Sequence, residues 1–147
     1  MKKVIYILLI LSLISCSKQQ PIKHLTVRVP SPFHYIDDLD TKLYIICSKY
    51  EALHLYDDLK GTLIQEIGIN NYYSTMQHRM SIVSYTNDIG TCQFQQRTYE
   101  WLSAKYGINT NVIDPESSQI AVMVQAFKDG RQNWWKGYKK YKIYENK

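Results

Sequence analysis

Apolar residues recur at helical spacing along most of the chain after residue 35, and one polar stretch interrupts this pattern. Steps of three, four and seven residues put the apolar side chains of each predicted helix on one face. Residues 69–92 lack such a stripe and are rich in Asn, Ser, Thr and Tyr. Within them, residues 80–85 and 87–90 resemble short strands around a polar turn. The sequence therefore predicts a mainly α (α+β) fold of four or five helices with a small β-hairpin region.

Capping residues predict where these helices begin and end. Asp57 is an acceptable N-cap for the second helix, and Gly68 ends it. Asp114 and Pro115 supply an N-cap and a proline at the first helical position, which is a strong start signal. Helices are expected at about 36–50, 57–67, 95–106 and 114–130, with a short aromatic helix after residue 133.

The N-terminus has the order of a secretory signal. Lys2 and Lys3 precede an apolar run at 4–14, which is shorter than the roughly 20 residues that cross a bilayer. The residues at 13–16, Leu-Ile-Ser-Cys, resemble a bacterial lipobox, which implies cleavage after residue 15 and lipid on Cys16. The alternatives are an ordinary signal peptide and an uncleaved anchor.

Three segments follow from this interpretation. Residues 1–15 form the signal peptide, residues 16–32 a lipidated tether, and residues 33–147 the folded domain. The tether is indicated by its composition, since 17–32 holds three of the chain's four prolines and no helical period. Ser17 resembles a sorting residue for the outer membrane, which implies the periplasmic side of that membrane in an organism with two membranes.

The charge balance favours the cell envelope over nucleic acid. Removal of Lys2 and Lys3 with the signal lowers the formal charge from +5 to +3. A mild basic excess suits an anionic wall or membrane surface, whereas an exported protein rarely meets nucleic acid. The four histidines lack metal-ligand spacing, and no phosphate-binding loop or nucleophile–histidine signature occurs. We therefore expect no metal and no cofactor.

The remaining cysteines leave two readings open. Once Cys16 carries lipid, Cys47 and Cys92 form a pair in an oxidising compartment, where a disulfide is favoured. The alternative is two buried free thiols.

The second predicted helix ends on Glu66, Ile67 and Gly68. With the helix before it, this segment (36–70) resembles the opening of the lytic transglycosylase and goose-type lysozyme group. There, the second helix ends with a catalytic glutamate in a Glu-Ser-Gly motif. The resemblance implies that Glu66 donates a proton to a glycosidic oxygen, and apolar neighbours and the helix C-terminus would raise its pKa. The alternative is a solvated helix glutamate.

Residues 86–94 resemble the Asp-x-Gly-x-x-Gln hairpin segment of the lysozyme superfamily, whose residues match Asp88, Gly90 and Gln93. The resemblance implies that Asp88 supports or attacks the sugar cation and that Gly90 lets the backbone approach a sugar. It implies that Gln93 binds an acetamido group or orients the acid. The alternatives are that Asp88 only builds a turn and that Gln93 is an exposed residue at a helix start.

Two departures from the family pattern concern activity. Ile67 replaces the family serine, and 126–130 lies where transglycosylases often have Ala-Tyr-Asn-x-Gly. Phe127 occupies the position of the substrate-contacting tyrosine but lacks its hydroxyl, and Lys128 replaces the asparagine. A non-catalytic, lysozyme-like binding or scaffold lipoprotein is therefore the alternative to an enzyme.

The resemblance covers about residues 36–138 and implies a lysozyme-like fold. It implies a lytic transglycosylase or muramidase that cleaves the MurNAc–GlcNAc linkage of peptidoglycan. The resemblance is compatible both with hydrolysis and with release of a 1,6-anhydro sugar. It is also compatible with a partner protein in secretion or wall assembly. The aromatic, lysine-rich residues from 134 onward either stack on sugars or only cover the core.

Overall fold

The computed structural model describes residues 37–110 and 114–146, which form a mainly helical structure as the sequence predicts. The signal segment, the tether and Cys16 lie outside the described residues. None of the helices within the described part is long and apolar enough to cross a membrane. The helices are α1 (Leu39–Lys49), α2 (Tyr56–Ile67), α3 (Ile69–Tyr72), α4 (Met76–Met80), α5 (Gln96–Tyr106), α6 (Pro115–Lys128) and α7 (Lys136–Glu145), with 3-10 turns at Leu53–Leu55 and Gln132–Trp134.

The capping signals place most helix ends correctly. The backbone N–H of Gly68 donates to Ile64 and closes α2, and Gly107 ends α5 in the left-handed conformation. The Asp114 side chain accepts a hydrogen bond from the N–H of Ser117 at 3.1 Å, which confirms it as the N-cap of α6. Asp57 was expected to be the N-cap of α2, but α2 begins at Tyr56, so Leu55 occupies the cap position without a side-chain hydrogen bond and Asp57 lies in the first turn.

Most of the predicted β-hairpin region is not β structure. Two short helices, α3 and α4, occupy its first half, and β structure is limited to two isolated antiparallel bridges, Val83–Ile89 and Ile89–Phe94. Thr75 caps α4 by accepting a hydrogen bond from the N–H of His78. A helix of one turn is too short to show a hydrophobic stripe, so the periodicity could not reveal it. We refer to residues 82–94, which include both bridges, as the bridged loop.

Helix α6 is the centre of the structure. Its residues 118–124 are buried without interruption, so every face of the helix is covered. A helix that is buried on all sides belongs to the core rather than to the surface. Helices α1 and α5 pack against α6, and α2 packs against α7. The bridged loop lies between α4 and α5 in the chain, and its residues Cys92 and Phe94 are buried in the core.

A buried ionic cluster connects α1, α4 and the start of α6. Glu116 accepts hydrogen bonds from Lys42 Nζ at 2.7 Å and from Arg79 Nε at 2.6 Å, and all three side chains are excluded from solvent. Lys42 also pairs with Asp114 at 3.1 Å, so two cations meet two anions. Thr91 Oγ1 donates to Glu116 at 2.6 Å and ties the bridged loop to the cluster.

Cys47 and Cys92 are not joined by a disulfide, which was one of the two readings that the sequence left open. Both are free thiols, and each side chain is fully buried in the core. Burial raises the pKa of the Cys47 thiol to about 11 and also raises that of Cys92. The two cysteines therefore pack as small apolar side chains, which is the alternative that the sequence left open.

Candidate active site

A cleft of about 320 Å³ opens between the end of α2, the bridged loop and the start of α7. Glu66, Asp88 and Gln93 all line it, so the structure brings together three of the residues singled out in the sequence. Its wall also includes Thr86, Phe94, Gln95, Thr98, Trp134, Trp135 and Lys136. The cleft is thus a polar groove with aromatic residues on one side.

Glu66 lies in the last turn of α2, half-buried at the cleft wall. Its Oε1 accepts a hydrogen bond from the backbone N–H of Gly137 at 2.6 Å. Burial is the largest influence on this carboxyl and raises its pKa, and the charge of Asp88 acts in the same direction. The hydrogen bond from the Gly137 N–H and the positive charges of Lys140 and Lys136 lower the pKa of Glu66, but the net shift of this pKa is still upward. The net result is a carboxyl group that keeps its proton to a higher pH than an exposed glutamate.

Asp88 lies at the end of a tight turn in the bridged loop. Its carboxylate accepts hydrogen bonds from Ser84 Oγ at 3.1 Å and from Thr86 Oγ1. The N–H of Ser84 donates to the Asp88 carbonyl at 2.9 Å, and Asn87 adopts a positive φ of 61°. Asp88 therefore helps to build the turn and also lines the cleft, with its carboxylate held by two hydroxyl groups.

Of the two remaining predicted residues of the bridged loop, Gln93 lines the cleft and Gly90 does not. Gln93 lines the cleft, and its Nε2 donates to the Gly90 carbonyl at 2.6 Å, which braces the loop. Gly90 has a φ of +73°, and a Cβ there would lie 2.5 Å from the Gln119 side chain. Because Gly90 has no side chain, the bridged loop can pack closely on α6 at this position. Gly90 therefore serves this contact and does not line the cleft.

Phe127 does not line the cleft either, contrary to its expected role in substrate binding. It is buried in the core, with ring centroids 5.4 Å from Trp135 and 5.6 Å from Tyr138. Lys128 donates from Nζ to the Tyr50 carbonyl at 2.7 Å, at the end of α1. Phe127 therefore supports the cleft from behind by packing against Trp135.

Trp135 is a cleft residue that the sequence placed in the aromatic tail but did not single out. It lines the cleft although only 5% of its surface is exposed, and its Nε1 donates to the Cys92 carbonyl at 2.9 Å. This bond joins the start of α7 to the bridged loop across the back of the cleft. The signal was the Trp-Trp-Lys run at 134–136, whose aromatic residues could equally have been simple core cover.

Gly137 offers a test of how tightly Glu66 is held. A Cβ at this position would lie 2.7 Å from the Thr62 carbonyl, 2.9 Å from Glu66 Cγ and 3.0 Å from Glu66 Oε1. We expect Gly137→Ala to lower the free energy of unfolding by about 1–3 kcal/mol, because α2 and α7 must move apart. Urea unfolding measures this, with the exposed Lys139→Ala on the same helix as the control. An unchanged stability would contradict the close approach of the two helices.

The chemistry of the cleft has to be inferred from its own side chains. Comparisons of this chain with protein-family models, curated proteins and solved structures find no match. Residues 37–110 and 114–146 contain no group of three or more His, Cys, Asp or Glu side chains that could hold a metal ion. A partly buried carboxyl, a second carboxylate and an aromatic wall are the groups that this cleft presents.

Proposed function

We propose that this protein cleaves the β-1,4 linkage between MurNAc and GlcNAc in peptidoglycan, as a lytic transglycosylase or muramidase held in the cell envelope by lipid on Cys16. The observation that carries this proposal is the pairing of Glu66 with Asp88 in one cleft. Glycoside cleavage needs one carboxyl group that stays protonated and, in the hydrolases, a second that is ionised. The raised pKa of Glu66 and the polar surroundings of Asp88 suit these two roles.

In this mechanism, Glu66 protonates the oxygen of the scissile bond. Its Oε1 is held by the Gly137 N–H, so Oε2 is the oxygen that would carry the proton. As the bond between the anomeric carbon and that oxygen breaks, positive charge develops on the sugar, and the Asp88 carboxylate stabilises it. The deprotonated Glu66 then acts as a base. It removes a proton from water in a hydrolase, or from the 6-hydroxyl of the sugar in a transglycosylase.

A lysozyme-like arrangement belongs to the same proposal. The order of elements supports it: a helix ends on the acid, a bridged loop carries the aspartate, and a buried helix follows. In the present structure Thr91 and Cys92 fasten that loop to α6 through Glu116 and Gln119. These hydrogen bonds to α6 hold in place the loop that carries Asp88 and Gln93.

A non-catalytic peptidoglycan-binding lipoprotein is the second candidate. The departures from the family pattern favour it, because Phe127 is buried without a hydroxyl and Lys128 is bonded to Tyr50. Ile67, which replaces the family serine, is buried in the core. None of the three supplies the polar contacts that the family residues would make in the cleft.

The deciding experiment is digestion of purified peptidoglycan with the full-length protein in detergent, followed by mass spectrometry of the released fragments. Products that end in 1,6-anhydro-MurNAc would establish a transglycosylase, and reducing MurNAc ends would establish a muramidase. Co-sedimentation with peptidoglycan without any released product would support the binding lipoprotein and contradict the enzyme.

The pH profile of cleavage should follow the charges around Glu66. Activity requires protonated Glu66, so it falls as the pH rises through the raised pKa of this group. Lys136 lowers that pKa and Asp88 raises it. We therefore expect Lys136→Met to move the alkaline limb of the profile to higher pH and Asp88→Asn to move it to lower pH. The limb is measured as initial rate against pH, with Lys139→Met as the control. Shifts in the same direction for both variants would contradict this electrostatic account.

A further inference from the structure

Two tryptophans from different elements form an exposed aromatic surface. Trp101 of α5 and Trp134 of the 3-10 turn before α7 have ring centroids 6.1 Å apart and planes inclined by 24°. The Arg131 guanidinium lies over both rings, 5.5 Å from the centroid of Trp101 and 4.6 Å from that of Trp134. We call these three residues the tryptophan platform.

Folding alone does not account for this exposure. Trp101 keeps 51% of its surface in contact with solvent and Trp134 keeps 49%, although the core of the same structure buries Trp135. Leaving large apolar rings in water forgoes the stabilisation that burial would give, and adjacent exposed aromatic residues often mark a binding surface. Arg131 stiffens the pair, since its Nε is 3.7 Å from the Asp129 carboxylate while its guanidinium packs on the rings.

The platform is continuous with the cleft. Trp134 belongs to both, because it lines the cleft beside Trp135 and Lys136 and also stacks with Trp101. Trp101 is not among the cleft residues, so it extends the aromatic wall beyond the place where Glu66 and Asp88 lie. A linear ligand that runs along the cleft would meet the platform next.

We propose that the tryptophan platform is a binding subsite for the glycan strand outside the cleft, where sugar rings stack on Trp101 and Trp134. This inference rests on the proposed function, since it takes the occupant of the cleft to be a glycan. Pyranose rings present flat C–H faces that pack on indoles, and an aromatic surface accommodates them with little loss of side-chain freedom. A glycan strand freed of its peptides bears the lactyl carboxylates of MurNAc, and the positive charge of Arg131 complements them.

The test is the dependence of affinity on glycan length. Glycan oligomers of two, four and six sugars, prepared from peptidoglycan and freed of peptides, are titrated calorimetrically into the full-length Glu66→Gln protein in detergent, which prevents turnover. We expect Trp101→Ala to weaken binding of the six-sugar oligomer roughly three- to tenfold and to leave the two-sugar oligomer unaffected. Trp101→Phe retains an aromatic face and should therefore weaken binding of the six-sugar oligomer less than Trp101→Ala does.

Tyr44→Ala is the matched control, because Tyr44 is a similarly exposed aromatic residue on α1, outside the cleft lining. If Trp101→Ala, Trp101→Phe and Tyr44→Ala bind every oligomer alike, the platform is not a subsite, while glycan binding in the cleft stands. If no oligomer binds to any variant, both the platform and the proposed function fail. Loss of affinity for all lengths in Trp101→Ala alone would also overturn the platform, since it would indicate a change in the cleft itself.

Discussion

Replacing Glu66 with glutamine should reduce the rate of glycan cleavage by about 10²- to 10⁴-fold, the range that a positioned general acid contributes. Glutamine has the shape of glutamate, and its carbonyl oxygen can still accept the Gly137 N–H that holds Oε1. It cannot deliver a proton to the leaving oxygen. The rate of fragment release from peptidoglycan measures the loss, and the exposed Glu51→Gln serves as the control.

The same substitution should make the protein more stable at neutral and alkaline pH. The folded-state pKa of Glu66 is raised above 4.5 because the charged carboxylate is desolvated, so ionisation costs more in the folded than in the unfolded protein. That cost is absent below the unfolded pKa and develops as the pH rises through the folded pKa. We expect the stability gain of Glu66→Gln to appear across that interval and to persist above it.

The two readouts together identify a functional residue. If Glu66 had only a structural role, Glu66→Gln would lower the stability of the protein without a specific loss of cleavage rate. If Glu66 is the acid, the substitution should lower the cleavage rate and raise the stability. Urea unfolding at pH 4 and pH 8 supplies the second measurement. If Glu66→Gln retains activity within a few-fold of the unchanged protein, then Glu66 is not the acid.

The cleft carboxylates could be predicted because their signals are local. Glu66 was located because the helix end at Glu66, Ile67 and Gly68 resembles the family's glutamate motif, and Asp88 and Gln93 because residues 86–94 resemble the family's hairpin segment. The caps at Asp114 and Gly107 are local in the same sense, since the side chain or the φ angle of one residue sets the helix end.

What the sequence did not predict depends on contacts between distant residues. Gly90 was expected to face a sugar, but its partner is Gln119 on α6. Phe127 was expected to contact substrate, but it packs behind Trp135. No periodicity encodes which buried side chain a loop will meet, and the same holds for Glu116, whose partners are 25 to 74 residues away in the chain.

Removing the carboxylate of Glu116 should have the largest effect on stability of any single change considered. We expect Glu116→Ala to lower the free energy of unfolding by about 3–5 kcal/mol, because Lys42 and Arg79 would remain buried after losing their shared anion. The surface pair between Lys142 and Asp58, 2.6 Å apart, provides the comparison. Asp58→Ala should cost about 1 kcal/mol or less, since both side chains are partly solvated.

A paired substitution separates the loss of an interaction from the burial of an unpaired charge. Arg79→Met with Glu116→Met removes one cation and one anion and leaves the pair of Lys42 and Asp114 in place. We expect this double variant to recover most of the stability that Glu116→Met loses alone, because no second buried cation is left unpaired. Urea unfolding of the three variants measures the difference. If the double variant is as unstable as Glu116→Met, the cost of Glu116→Met comes from the lost hydrogen bond of Thr91 rather than from the unpaired charge, and Arg79→Met adds only the loss of the Arg79 hydrogen bonds to the Ser74 and Asp37 carbonyls. In that case Glu116 acts chiefly as the anchor of the bridged loop that carries Asp88.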